Sequence, residues 1–225
     1  MDLEIFVQLM AQFYENGWMR GSGGASDIFI FDLRSKQQVQ RPLHARVNAS
    51  SCAVLFTLIM KHTGTNIAQF IAQLTGEAFG SKCVIHTHGK AANLITQLLR
   101  NKEFFEISHQ EYIKGVYDPF TGKNLNYDDT LTIPIIENQP REEQLMPALE
   151  ECLKINQRTC AVLVRNHGLF VWGSSWEKAK IMTECIDYLL DLAIRMIRLK
   201  IPLIEDQPME KSVILDKEYQ HIFYP

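Results

Sequence analysis

An α/β domain is the fold class this sequence predicts, and three of its segments carry the prediction. Near the C-terminus two short apolar runs, Cys160–Val164 and Leu169–Trp172, flank a turn at Arg165–Gly168, and a long amphipathic pattern follows them. Earlier in the chain a strand-like run, Lys82–His86, is followed by a helical pattern over Ala91–Leu99. At the N-terminus Leu3, Phe6, Val7, Met10, Phe13 and Tyr14 recur at helical spacing with Gly17 as a stop, which predicts a helix over residues 2–15.

The remaining elements follow in order. Gly21-Ser22-Gly23-Gly24 reads as a flexible turn that leads into a short strand, Ile28–Phe31, and the polar, basic residues 34–46 read as a surface loop. Cys52–Lys61 is apolar enough for a helix or a buried strand, and periodicity does not choose between them. Residues 62–81 hold a short helix bracketed by glycines. Thr130–Ile136 is a strand whose Pro134 argues for an edge position, and Pro147 should kink or restart a helix over 141–155. Ser174, with Glu177 three residues on, opens the last helix as a capping box. The apolar stripe of that helix is Ile181, Met182, Cys185, Ile186, Leu189, Ala193, Met196 and Ile197. The whole reads as one domain over residues 1–200 with a loosely packed tail over 201–225.

Composition narrows the function. The 225 residues carry 23 basic and 26 acidic side chains, a net charge of −3, with 46% hydrophobic and 22% charged residues. This is ordinary globular composition, and the slight acidity argues against nucleic acid as partner. The longest apolar run, around Ala53–Met60, is far short of the ~20 residues a membrane helix needs. Asp2 and Glu4 stand where a signal peptide would carry basic residues. Five cysteines without a C-x-x-C pair read as thiols in a reducing compartment. A cytoplasmic protein without membrane attachment is the expectation.

Chemistry concentrates in a few histidines. His86-Thr87-His88 ends a strand, where side chains at i and i+2 share a face and two imidazoles can converge on one metal ion. His167 lies in Arg165-Asn166-His167-Gly168, between two apolar strands, where Gly168 allows an unusual backbone; it is a sensible third ligand. Three neutral imidazoles with one open position is the arrangement of a catalytic zinc. Cys83 is three residues from His86 and so faces the other side of a strand, as a core cysteine would. Cys152, Cys160 and Cys185 lie on apolar faces, and His44, His62 and His221 read as surface residues. In Ser108–Gly115, Glu111 stands among His109, Tyr112 and Lys114 and is the candidate acid/base, with His109 an alternative metal ligand.

The motifs H-T-H-G-K-A-A at 86–92, S-H-Q-E-Y-I-K-G at 108–115, I-P-I-I-E-N at 133–138, A-V-L-V-R-N-H-G-L-F-V-W-G at 161–173 and W-E-K-A-K at 176–180 occur in one order. Together with F-Y-E-N-G-W-M-R-G-S-G-G at 13–24 they closely resemble the class II aldolase and adducin-head superfamily. Within it they are most similar to the dehydratases that act on methylthioribulose-1-phosphate. The resemblance implies a three-layer α/β/α class II aldolase-like domain with a central, largely antiparallel sheet, assembled as a homotetramer with its sites near subunit interfaces. It implies one Zn2+ per subunit on His86, His88 and His167, Glu111 as acid/base, Cys52 near a sugar-phosphate substrate, and a dehydration step of methionine salvage.

Two stretches depart from the family. By comparison with the family about two dozen residues, a strand and a second glycine- and serine-containing loop that helps hold the phosphate, are missing between Gly24 and Asp27, and Lys61–Ser81 reads as an insertion, so residues 25–81 as a whole diverge. Gly21–Gly24 could still offer backbone N–H groups to an anion, with Lys114 as a cationic partner. The same residues would also suit a sugar-phosphate aldolase, or an interaction protein that has lost turnover.

Overall fold

The computed structural model describes residues 3–18, 30–32, 37–40, 52–63 and 83–205. The elements are α1 (Leu3–Glu15), β1 (Ile30–Asp32), β2 (Gln37–Gln40), α2 (Ala53–Thr63), β3 (Cys83–Thr87), α3 (Lys90–Leu98) and β4 (Phe104–Ile107). After a 3₁₀ turn at Glu111–Gly115 come β5 (Tyr117–Asp118), β6 (Lys123–Asn124) and β7 (Leu131–Ile136). A second 3₁₀ turn at Glu142–Leu145 leads into α4 (Met146–Ile155), β8 (Ala161–Val164), β9 (Gly168–Gly173) and α5 (Trp176–Arg198). Among the described residues no helix is long and apolar enough to cross a membrane.

Five strands form one sheet in the order β3-β9-β8-β7-β4. Only the β7–β8 pair is parallel; the others are antiparallel. Side chains alternate across such a sheet, and here the alternation separates two cores. Ala161 and Leu163 of β8 and Leu169 and Val171 of β9 join α3 and α5 on one face. Val162, Val164, Phe170 and Trp172 join α2 and α4 on the other. The result is helices, sheet, helices: the three-layer arrangement, with β8 buried on both faces.

Local choices explain most elements. α5 is long because its buried positions, Ala179, Met182, Thr183, Ile186, Leu189, Leu190, Ala193 and Met196, repeat every three or four residues. Ile181, expected in that stripe, is 51% exposed. Ser175 rather than Ser174 caps the helix: its backbone is extended and its side chain accepts from the Lys178 N–H at 3.3 Å, a contact typically worth about 1 kcal/mol. Pro147 sits in the first turn of α4, so the helix restarts there, where a missing N–H costs nothing. Cys52–Lys61 is resolved in favour of a helix.

Three expectations are corrected. β7 is an interior strand despite Pro134. Its ladder to β8 begins only at Ile135, and it is Ile135 that donates across the other side to the Glu103 carbonyl, at 2.8 Å. The proline therefore interrupts no bond of the sheet. Residues 37–40, read as loop, pair with β1 as an antiparallel ribbon, which backbone bonding can hold without a hydrophobic period to betray it. The start of the supposed loose tail is attached: Ile201 and Leu203 pack on the core, and the Leu203 carbonyl accepts from the Ser108 N–H at 2.9 Å. The glycine turn at 21–24, the helix expected within 64–81, the departures from the family there, and residues 206–225 lie outside the described residues, as do His44 and His221.

One close approach fixes how β9 meets β3. Gly168 has an ordinary backbone, and the left-handed residue of its turn is Asn166, with φ 54°. What position 168 requires is space, because a Cβ there would be driven into the Thr87 carbonyl. Gly168→Ala should therefore lower stability by about 1–3 kcal/mol, the usual cost of overpacking. A denaturation midpoint equal to that of the unaltered protein would contradict this packing.

Candidate metal centre

Four strand ends meet at one edge of the sheet: the C-terminal ends of β3, β8 and β7 and the N-terminal end of β9. His86 leaves from β3, His88 follows its last residue, and His167 leaves from the turn between β8 and β9. The His88 Nε2 atom lies 3.0 Å from that of His86 and 2.9 Å from that of His167. Among the described residues these three form the one histidine, cysteine or carboxylate group compact enough to hold a metal ion.

Two of the rings are aimed by their surroundings. His86 stacks on Phe170 with ring centroids 3.9 Å apart, meets the edge of Phe56, and donates from Nδ1 to the Leu169 carbonyl at 3.0 Å. His167 Nδ1 lies 3.1 Å from Asn138 Oδ1. That oxygen also accepts the Gln139 N–H at 2.9 Å, which fixes it as an acceptor and makes Nδ1 the donor. Both Nε2 atoms therefore present lone pairs. His88 can carry one Nε2 proton and satisfy one neighbour, so at least one of the two contacts sets lone pair against lone pair. A cation between the three nitrogens removes that conflict, and donors of this kind, oriented through Nδ1, suit a divalent transition metal.

The turn that carries His167 is itself held. Arg165 donates to the Thr96 and Leu99 carbonyls at 2.9 and 3.2 Å and to the Lys102 carbonyl at 3.0 Å, closing the C-terminal end of α3. It also pairs with Glu137 at 2.6 Å. The Asn166 N–H donates to Thr96 Oγ1 at 3.0 Å while Asn166 takes the left-handed conformation that asparagine tolerates. Beside the imidazoles opens a cleft of about 390 Å³, lined also by Asn93, Asn138, Glu142 and Asn166.

Burial, then the neighbouring imidazoles, push the His86 pKa down to about 3, against a raising contribution from its bond to Leu169. Burial also lowers His88 and His167, with Glu142 opposing it in both. All three are thus held neutral, the form that binds metal. Burial raises the Cys83 and Cys152 thiols to about 11 and Cys160 to about 12; Cys152 and Cys160 lie in the core, whereas Cys83 is only partly buried.

The other expected residues fall elsewhere. Cys52 is buried at the start of α2, one turn before the Phe56 that touches His86, and so lies on the imidazole side of the sheet. Glu111 follows β4, which runs antiparallel to β7, and so emerges at the opposite end of the sheet. The length of β7 puts roughly 16 Å between those ends. There Glu111 is exposed and paired with Lys114 at 2.8 Å. Lys114 lies 5.9 Å from the Tyr127 ring. His109 is at the same end, bound to Glu205 at 2.9 Å, and is no ligand of this cluster. His62, expected at the surface, is partly covered and pairs with Glu150 at 3.4 Å. Sequence reasoning missed Asn138 and Phe170 as supports of the imidazoles, although E-N at 137–138 lay inside a recognised motif.

The family model described as Class II Aldolase and Adducin N-terminal domain matches residues 17–194. A Caenorhabditis elegans protein named probable methylthioribulose-1-phosphate dehydratase is 48% identical and covers 100% of this chain and 88% of its own length. The methylthioribulose-1-phosphate dehydratase of Danio rerio is 37% identical over 85% of this chain and 82% of its own. The crystal structure of YgbL from Klebsiella pneumoniae shares the fold, with a TM-score of 0.54 at 17% identity over 86% of this chain and 88% of that one.

Protonation of these histidines should register as lost stability. Unfolded, His86 titrates near 6.5, and folded near 3, so between those values the unfolded state binds more protons. Metal-free protein should lose stability as pH falls below 6.5, by at most about 1.4 kcal/mol per pH unit from His86 alone. His86→Gln should make denaturation midpoints fall less steeply over pH 6.5–5; equal slopes would show that His86 does not titrate as its surroundings demand.

Proposed function

The chain belongs to the class II aldolase and adducin N-terminal domain family, and on that footing we propose that it is a zinc-dependent hydro-lyase. Its substrate on this reading is 5-methylthioribulose-1-phosphate, dehydrated to 2,3-diketo-5-methylthiopentyl-1-phosphate in methionine salvage. The observation that supports it most is the convergence of three imidazoles on one point, two of them anchored through Nδ1. The names of the curated relatives support the substrate.

His86, His88 and His167 would hold the zinc. When bound, it supplies a Lewis acid for the ketose oxygens, which makes the C3 proton easier to remove. Glu111 takes that proton from C3 and returns it to the C4 hydroxyl, which leaves as water; the resulting enol becomes the diketone. A dehydration needs no redox partner, which is consistent with a site made of imidazoles, amides and carboxylates. Cys52 lies on the substrate side, against the α2 turn that carries Phe56.

Because β4 delivers Glu111 to the far end of its own sheet, Glu111 serves the imidazoles of a neighbouring copy in a homotetramer. Exposed Tyr112 and Tyr188, stacked with centroids 4.0 Å apart beside Glu111, supply apolar surface for such a contact. One catalytic domain over residues 1–200, working in the cytoplasm, completes the reading.

Purified protein loaded with zinc should dehydrate methylthioribulose-1-phosphate; bound zinc without turnover would overturn the assignment. His167→Ala should lose zinc, and Glu111→Gln should keep zinc but lose turnover. Co-refolding these two inactive variants should restore part of the activity, since mixed assemblies combine an intact triad with a neighbour's intact Glu111. Mixtures as inactive as both parents would exclude a site shared between copies.

A further inference from the structure

Between His86 and His88 stands Thr87, the last residue of β3, 2% exposed, its side chain on the face of the sheet opposite to that of His86. Its hydroxyl donates to the Trp18 carbonyl at 3.3 Å and accepts the Gly89 N–H at 3.0 Å. Its own carbonyl meets Gly168, where no Cβ fits. Trp18, 3% exposed, donates from Nε1 to Asp187 Oδ2 of α5 at 3.0 Å. Asp187 and Trp18 in turn close over the turn after His88. A Cβ at Gly89 would lie 3.3 Å from Asp187 Oδ1 and 3.7 Å from Trp18 Cδ1, so the glycine of H-T-H-G serves close approach at an ordinary φ of −51°.

We propose that Trp18, Thr87 and Asp187 form a positioning assembly that sets the direction of the His86 and His88 side chains toward the metal. The inference rests on the zinc reading above. It adds residues that touch neither metal nor substrate and that bring α1, α5 and the ligand strand into one network. A β-strand end is free to twist, and the two histidines stand at the end of β3 and just beyond it. Fixing Thr87 through its hydroxyl on one side and its carbonyl on the other removes that freedom. The indole–carboxylate bond holds the Trp18 backbone where the hydroxyl needs it. Asp187 has no cation as hydrogen-bond partner among the described residues, while its neighbour Asp191 pairs with Arg195 at 2.8 Å. Its half-buried carboxylate is therefore matched to the indole N–H.

The test is zinc affinity of the full-length protein, measured by competition with a chromophoric chelator, alongside the thermal midpoint of each zinc-free variant. Thr87→Val, which keeps the shape and loses the hydroxyl, and Asp187→Ala should each weaken zinc binding by about 10–100-fold, the range expected when a ligand's support is removed. Thr87→Ser and Asp187→Asn, which keep the hydroxyl and an acceptor oxygen, should restore affinity to within a few-fold of the unaltered protein. Should Thr87→Val fail to fold, the Asp187 pair decides. Undiminished zinc affinity in Asp187→Ala, with or without a lower midpoint, would overturn the inference and leave the network as a fastening for α1. If the unaltered protein binds no zinc, the metal reading itself fails, and the inference with it.

Discussion

Three unprotonated imidazole nitrogens do not gather of their own accord, and most of this structure can be understood as what makes them do so. His86 and His167 each have their Nδ1 proton committed, one to a backbone carbonyl and one to an asparagine oxygen, which leaves both Nε2 lone pairs facing His88. In water such a cluster would relax by turning the rings or taking up a proton. Here Phe170 stacks on one ring, a glycine-tight strand pairing fixes the backbone beneath it, and burial makes the protonated form costly. The arrangement is held ready by the fold, and a cation completes it.

The sheet accounts for this placement. Its mixed pairing brings four strand ends to one edge, so histidines that are 79 residues apart in sequence reach contact distance. α3 then serves twice. Its start follows the His88 turn directly, and its C-terminal carbonyls are closed by Arg165, one residue before the left-handed Asn166 that aims His167. A single helix nine residues long thus ties both ligand segments to each other. Loss of Arg165 would free three carbonyls and the turn together, which links helix capping to metal geometry.

Much of this was legible in the sequence because it rests on local chemistry. Period-two spacing at His86 and His88, the strand–turn–strand around His167 and the helical stripe of residues 176–198 are local patterns with few structural solutions. What stayed hidden depends on partners remote in sequence. Pro134 reads as an edge signal, yet it lies inside the sheet because the neighbouring ladder starts one residue later. Gly168 reads as a conformational glycine, yet it is required by the Thr87 carbonyl across the sheet. The identity of Glu111 as a candidate base was visible in its motif, whereas its position at the far end of the sheet follows only from the antiparallel pairing of β4 with β7.

Whether His86, His88 and His167 together bind one zinc ion with a position left open can be read from X-ray absorption at the zinc edge of the loaded, full-length protein. Three imidazole nitrogens at about 2.0–2.1 Å and one oxygen are expected, with no sulfur bound to the ion. A sulfur scatterer near 2.3 Å, or fewer than three imidazoles, would contradict it.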